Sequence, residues 1–147
     1  MPSTRARFCV KSEEIPDNKS VMTAHPAFKI QSDAPQNTVR ISYFGRVVPA
    51  DMAACAKEVE RLLPTMRTGF AVLTDLSGLE SMDLECVPHL TKIMDLAKAR
   101  GIGTVVRIIP DPDKDIGFNI LSIIHLRRGV KIVTCETLAE AERALKL

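Results

Sequence analysis

The spacing of hydrophobic positions changes period along the chain, and each change marks an element. Phe28-Lys29-Ile30-Gln31 alternates apolar and polar, and so does Val39-Arg40-Ile41-Ser42-Tyr43-Phe44-Gly45. Side chains of a strand point to opposite faces in turn, so this period of two predicts two half-buried strands. Ala34-Pro35-Gln36-Asn37 between them is turn chemistry, and the pair reads as an antiparallel hairpin with a loose loop. Gly45 reads as the end of the second strand. From Ala50 to Leu63 the period becomes helical. Met52, Cys55, Val59 and Leu62 share a face, and Lys57, Glu58, Glu60 and Arg61 fall mainly away from it. Pro64 should end or kink that helix, because it lacks the amide proton the next turn needs.

The stretch from Gly69 to Arg100 organises the rest. Phe70-Ala71-Val72-Leu73-Thr74 is a continuous apolar run, expected of a strand covered on both faces. The residues from Asp75 to Cys86 read as a polar crossing. Val87, Leu90, Met94 and Ala97, with Ile93 beside them, then form one helical stripe. Strand, crossing and helix make half of a β-α-β unit. Such units place partner-binding or chemical groups at the junction, where helix amides point outward.

Gly101 and Gly103 fit a helix stop. Thr104-Val105-Val106-Arg107-Ile108-Ile109 is the next strand, ended by Pro110. A third helix is expected from about Asp115 to Arg128, stopped by Gly129, and a strand over Lys131-Ile132-Val133-Thr134-Cys135. Thr137-Leu138-Ala139-Glu140 has the form of a capping box. It opens a last helix with Leu138, Ala141 and Leu145 on one face. The predicted order is ββαβαβαβα: an α/β fold with a mostly parallel sheet of about five strands, an antiparallel edge hairpin and four helices. Its strand-helix-strand crossings should be right-handed. Residues 1–27 read as an N-terminal arm or extra edge strand, with Arg5 to Lys11 alternating weakly. Residues 28–147 read as the domain proper.

Composition narrows the function classes. The 147 residues suit one domain with a sizeable core. A net charge of +2 is too balanced to argue for nucleic acid, and no Trp with one Tyr offers no platform for stacking bases. No apolar run approaches the roughly 20 residues that span a bilayer, and no secretory signal opens the chain. Cys9, Cys55, Cys86 and Cys135 are widely spaced with no C-x-x-C pair, as expected of reduced thiols in a cytoplasmic protein. No His/Cys spacing resembles a metal site. Asp111, Asp113 and Asp115 lack the calcium-loop glycine and glutamate, since Ile116 and Ser122 stand at those positions. No phosphate-cradling glycine motif is present, and no cofactor is expected.

The order of elements and the central stretch resemble the STAS domain, the fold of bacterial anti-sigma factor antagonists. The resemblance covers about Phe28 to Leu147. It is carried by Gly69 to Leu79, which looks like the family's central strand and its acidic-apolar exit. Ser81-Met82-Asp83 looks like the opening of the key helix, and Thr137 to Leu145 like the closing helix. The resemblance implies a non-enzymatic switch in partner binding, with an anti-sigma factor or kinase-like regulator as the protein partner. In the family pattern an Asp precedes two hydroxyl residues and a Gly, and a hydroxyl there is phosphorylated. Asp83 matches, but Leu84, Glu85 and Cys86 follow it. Glu85 stands at the phosphoacceptor position and cannot be phosphorylated.

Each residue at this junction has a plain and a sharp reading. Glu85 is either a carboxylate favoured by the helix dipole or a fixed charge imitating the phosphorylated state. Cys86 is a small packing residue or a thiol activated at a helix N-terminus with His89 one turn away. The expected third helix, Ile116 to Leu126, is apolar almost all round, which leaves Phe118, Leu121 and Leu126 for a partner or a homodimer contact, or for cover by neighbouring loops or the arm. The expected partner surface therefore comprises Ser77, Ser81, Asp83, Leu84, Glu85, Cys86 and His89, with Phe118 and Leu121 adding an apolar patch. The alternative is a small-molecule-binding or enzymatic domain that uses Asp83, Glu85, Cys86 and His89.

Overall fold

A computed structural model of the chain describes residues 21–109 and 130–146. Six strands form one sheet, and their spatial order is their order in the sequence. They are β1 (Val21–Ala24), β2 (Phe28–Asp33), β3 (Thr38–Val47), β4 (Ala71–Met82), β5 (Thr104–Ile108) and β6 (Lys131–Cys135). The first three pair antiparallel. From β3 to β6 every pairing is parallel. The sheet is thus mixed, with six strands where about five were expected. The added strand is β1, in the segment read as an arm or extra edge strand. A tight link holds it: the Ala27 amide donates to His25 Nδ1 at 3.1 Å, and the His25 ring stacks on Phe28 at 4.3 Å between centroids.

Three α-helices are described: α1 (Pro49–Leu62), α2 (Val87–Ala99) and α3 (Leu138–Leu145). The helix expected over 115–128, with Phe118 and Leu121, lies outside the described residues, as does the candidate strand Arg5 to Lys11. α1 buries the stripe read from the sequence, Met52, Cys55, Val59 and Leu62, with Ala56 added. Pro64 converts its end into a short 3-10 turn, Leu63–Thr65. α2 buries Leu90, Met94 and Ala97. In α3, Thr137 Oγ1 accepts from the Glu140 amide at 3.2 Å, and Glu140 Oε1 accepts from the Thr137 amide at 3.3 Å. That is the capping box. Leu138 departs from expectation: it is exposed, and Ala141 is the buried contact, with Ala144 and Leu145 packed beside it.

α1 and α2 cover one face of the sheet, where Phe28, Ile30, Val39, Ile41, Tyr43 and Val105 meet the helical stripes. α3 covers the other, over Leu73, Val106, Ile108 and Cys135. Parallel neighbours joined by helices with one crossover hand put successive helices on the same face, which places α1 and α2 together. The larger core retains an apolar cavity of about 50 Å³ between Ile41, Tyr43, Val59, Leu90, Met94 and Val105. Beside it the Tyr43 hydroxyl and Cys55 Sγ lie 3.6 Å apart, both buried.

The largest departure from the sequence reading lies in β3 and β4. The apolar run at Phe70–Thr74 is only the first part of a 12-residue strand. Asp75 to Met82, read as a crossing, continues it. Two register shifts accompany this extension. From Ser42 to Phe44, β3 advances two residues while β4 advances three, Asp75 to Gly78. The second shift falls between Gly45 and Arg46, opposite Leu79 and Ser81. Each leaves one extra residue on β4, the signature of a β-bulge. Gly45 does not end β3; its φ of 62° suits glycine and carries the strand past the second bulge to Val47.

Candidate protein-docking surface at the end of the central strand

The bulges determine which residues of β4 reach solvent. In its first half Leu73 and Thr74 are buried. Past the first bulge the pattern opens. Leu76 and Leu79 stay buried, whereas Ser77, Gly78, Glu80 and Ser81 are exposed. The Ser77 hydroxyl donates to Asp75 Oδ1 at 2.6 Å, and the Ser77 amide donates to the same oxygen at 2.9 Å. This local turn holds the bulge in shape. Across from it Phe44 lies over Gly78. A Cβ on Gly78 would stand 2.9 Å from the Phe44 ring and 3.2 Å from the Tyr43 carbonyl oxygen. Glycine is therefore what lets the half-exposed ring lie there.

The chain then turns into α2 through a 3-10 turn, Leu84–Cys86. Asp83 fixes the entry. Its amide donates to the Val47 carbonyl at 3.0 Å, and its own carbonyl accepts from the Cys86 amide at 2.9 Å. Its carboxylate takes both arms of Arg46, Nε at 3.2 Å and Nη2 at 3.3 Å. Those bonds raise the guanidinium pKa further above its ordinary value. With Asp83 pinned on both backbone and side chain, the next residue is pushed outward. Leu84 is 79% exposed, the most exposed large apolar side chain among the described residues. Glu85 follows it into solvent.

Cys86 does not belong to this surface. It is fully buried and directs its Sγ–H to the Val47 carbonyl at 3.5 Å. Burial, reinforced by Asp83, pushes its thiol up to about 11. A thiol nucleophile needs a lowered value and access, so the packing reading describes it and the activated-thiol reading does not. His89 is half-buried on the first turn of α2, and the thiol bonds Val47 rather than its imidazole. The proposed chemical cluster is thereby dispersed: Asp83 is held by Arg46, Cys86 faces the core, and Glu85 faces solvent. Ser77, Ser81, Leu84 and Glu85 are exposed, spread along the second half of β4 and the turn that follows it. Among the described residues no group of His, Cys, Asp and Glu could hold a metal ion, and no helix is long and apolar enough to cross a membrane.

Two residues of this surface were not anticipated from the sequence. Phe44 alternates correctly for a strand and read as an ordinary strand position. Arg46 stood beyond the glycine taken as the end of β3. Gly78 opposite an aromatic residue was the available signal, since glycine within a strand marks close approach of another group.

No protein-family model matches the sequence, and no curated protein does. The fold has clear counterparts. The unphosphorylated form of the anti-sigma factor antagonist SpoIIAA is 16% identical with a TM-score of 0.59, over 82% of this chain and 98% of that one. A protein with a SpoIIAA-like fold from Shewanella loihica is 11% identical with a TM-score of 0.56, over 86% and 92%. An anti-sigma factor antagonist from Mycobacterium paratuberculosis is 18% identical with a TM-score of 0.51, over 90% and 98%. At such identities the likeness is one of architecture, and the architecture of this chain is STAS-like.

Proposed function

We propose that this chain is a non-enzymatic protein-interaction module of bacterial signalling or transcription regulation, cytoplasmic, and similar in role to an anti-sigma factor antagonist. The observation that carries the reading is the 79% exposure of Leu84, held out by the pinned Asp83 in the turn after β4. An isolated exposed leucine needs no explanation, but here Phe44, over Gly78 on the neighbouring strand, is a second exposed large apolar side chain, and polar Ser77, Glu80, Ser81 and Glu85 are exposed along the stretch that separates them. Exposed apolar side chains set among polar ones fit a docking surface. The likeness of the fold to anti-sigma factor antagonists supports a protein, an anti-sigma factor or kinase-like regulator, as the occupant.

Binding in this reading is constitutive. The three residues after Asp83 carry no hydroxyl, so a phosphate cannot be added there to repel the partner. Glu85 supplies a constant charge at the same place.

Site-specific photo-cross-linking in the native cell tests the surface. A photoreactive residue at Leu84 should give a discrete heterologous adduct, and one at exposed Met22 on β1 should not. No adduct from position 84, or the same adducts from both, removes the surface. Affinity capture addresses the switch. Wild type and Leu84→Ser/Glu85→Ser should retrieve the same partner; a kinase-like protein retrieved by the double variant alone would show that binding is gated at these positions.

A further inference from the structure

We infer that the cavity between the sheet and its two helices is a binding site for a small neutral molecule that is apolar except for one oxygen, a short-chain alcohol or ketone. The walls are almost wholly hydrocarbon, with Ile41, Tyr43 and Val105 from the sheet and Leu90 and Met94 from α2. One wall residue departs from this. Thr74 lies in the covered first half of β4 and is only 5% exposed. In the parallel ladders it stands between Ile41 on β3 and Arg107 on β5. Side chains in register across a ladder share a face. Thr74 therefore points with Ile41 toward α1 and α2, and it reaches the cavity. Among the described residues its hydroxyl has no hydrogen-bond partner. Neighbouring Arg107 reaches the other way, donating from Nη2 to Thr134 Oγ1 on β6 at 2.8 Å. The Tyr43 hydroxyl is engaged with Cys55 Sγ at 3.6 Å.

A hydroxyl buried without a partner costs stability. A wall built only for packing would be served by valine, which has the same shape, no oxygen and an equal liking for strands. The oxygen of Thr74 has a use once the cavity is filled. Water is a poor occupant, because a buried water needs two to four polar partners and the hydrocarbon walls do not supply them. A charged molecule would lose its hydration with no counter-ion to replace it. An apolar molecule with one oxygen satisfies both kinds of wall. A threonine hydroxyl both donates and accepts, so a hydroxyl or a carbonyl can meet it. Volume limits the size. A cavity of 50 Å³ is about a third of the ~150 Å³ that holds a benzene ring, which leaves room for about four non-hydrogen atoms.

The test uses the full chain with labelled methyl groups and three probes: 2-propanol, acetate and xenon. 2-Propanol should shift the methyl resonances of Ile41, Leu90, Met94 and Val105 saturably and show proton contacts to them. Acetate, equal in size but charged, should not. Xenon should shift the same methyls. Thr74→Val removes the oxygen and keeps the shape. It should weaken 2-propanol roughly fivefold to tenfold, the net worth of one neutral hydrogen bond, and leave xenon binding unchanged, which also shows that the cavity is intact. Thr74→Ser keeps the hydroxyl and should keep the preference for the alcohol over acetate. Val105→Ile extends a methylene from the sheet wall and should abolish the response to both neutral probes. No saturable response to 2-propanol, shifts confined to other parts of the molecule, or equal affinity of wild type and Thr74→Val for the alcohol would overturn the inference. Xenon binding alone would also overturn it, since the cavity would then be a packing defect with no claim on an oxygen. The site stands apart from the docking surface, and neither result bears on the cross-link at Leu84.

Discussion

Burial keeps Cys86 and Cys55 protonated well past the pH at which a free cysteine ionises. From an ordinary value of 9.0, desolvation lifts Cys86 to about 11 and Cys55 to about 12, and it raises Cys135 as well. Two outcomes follow. In the native protein at neutral pH, Cys55, Cys86 and Cys135 should alkylate far more slowly than in denaturant, read by mass spectrometry of the digested protein. A Cys86 that alkylates as fast folded as unfolded would return the thiol to consideration as a reactive group. Stability should also depend on alkaline pH. Below about 9 both folded and unfolded thiols hold their protons and the contribution is complete. Between about 9 and about 11 to 12 the unfolded chain releases protons that the folded chain keeps. Unfolding is therefore favoured as pH rises through that window. A denaturation midpoint that holds steady from pH 8 to pH 11 would contradict it. The sequence placed Cys86 at the right junction but could not show that the thiol turns inward, because its bond to Val47 spans a contact set by the strands.

The helices were legible for a simple reason. Each of α1 and α2 packs a single stripe against one sheet face, so period and burial coincide. β4 was legible only to Thr74. Beyond it the bulges break the alternation, and exposed Ser77, Gly78, Glu80 and Ser81 imitate the composition of a loop. The capping box of α3 was readable because both of its bonds are local. Thr137→Ala should cost about 1 kcal/mol in chemical denaturation, the usual worth of such a cap. Glycine substitutions separate two kinds of crowding. Gly78→Ala meets first the movable Phe44 ring at 2.9 Å, with the Tyr43 carbonyl oxygen less crowded at 3.2 Å, and should cost roughly 1 kcal/mol while displacing that ring, visible in its aromatic resonances. Gly103→Ala meets the Gly69 carbonyl oxygen at 2.8 Å. Backbone cannot step aside as a ring can, so this change should cost about 2–3 kcal/mol. Equal costs at the two positions would refute the distinction.

For the molecule as a whole, the cavity between the sheet and its two helices is a small reserve of stability. At 50 Å³ it represents about 1 kcal/mol of packing not made. Val105→Ile adds one methylene from the sheet side and should raise the thermal midpoint, with a gain of up to about 1 kcal/mol. A lowered midpoint would mean that the walls cannot accept the methylene without strain. β1 is joined to this body by more than its ladder. Thr23 Oγ1 donates to Glu58 Oε1 at 3.1 Å, and Arg61 Nη2 reaches the same carboxylate oxygen at 2.7 Å.

The agreement of strand order with chain order has a consequence for the nascent polypeptide. Every strand after β1 emerges from the ribosome to find its neighbour already made, so the sheet can grow along one edge in the direction of synthesis. Few native contacts need wait for a distant partner, which keeps entropic closure costs small at each step. The exception is the reverse face. Among the described residues, Leu73, laid down in mid-sheet, is covered by α3, which is made only after all six strands. A chain stalled before α3 would consequently display a finished sheet whose Leu73, Val106 and Ile108 lack their helical cover. That incomplete product, rather than the mature protein, is the form chaperones and proteases would be expected to recognise.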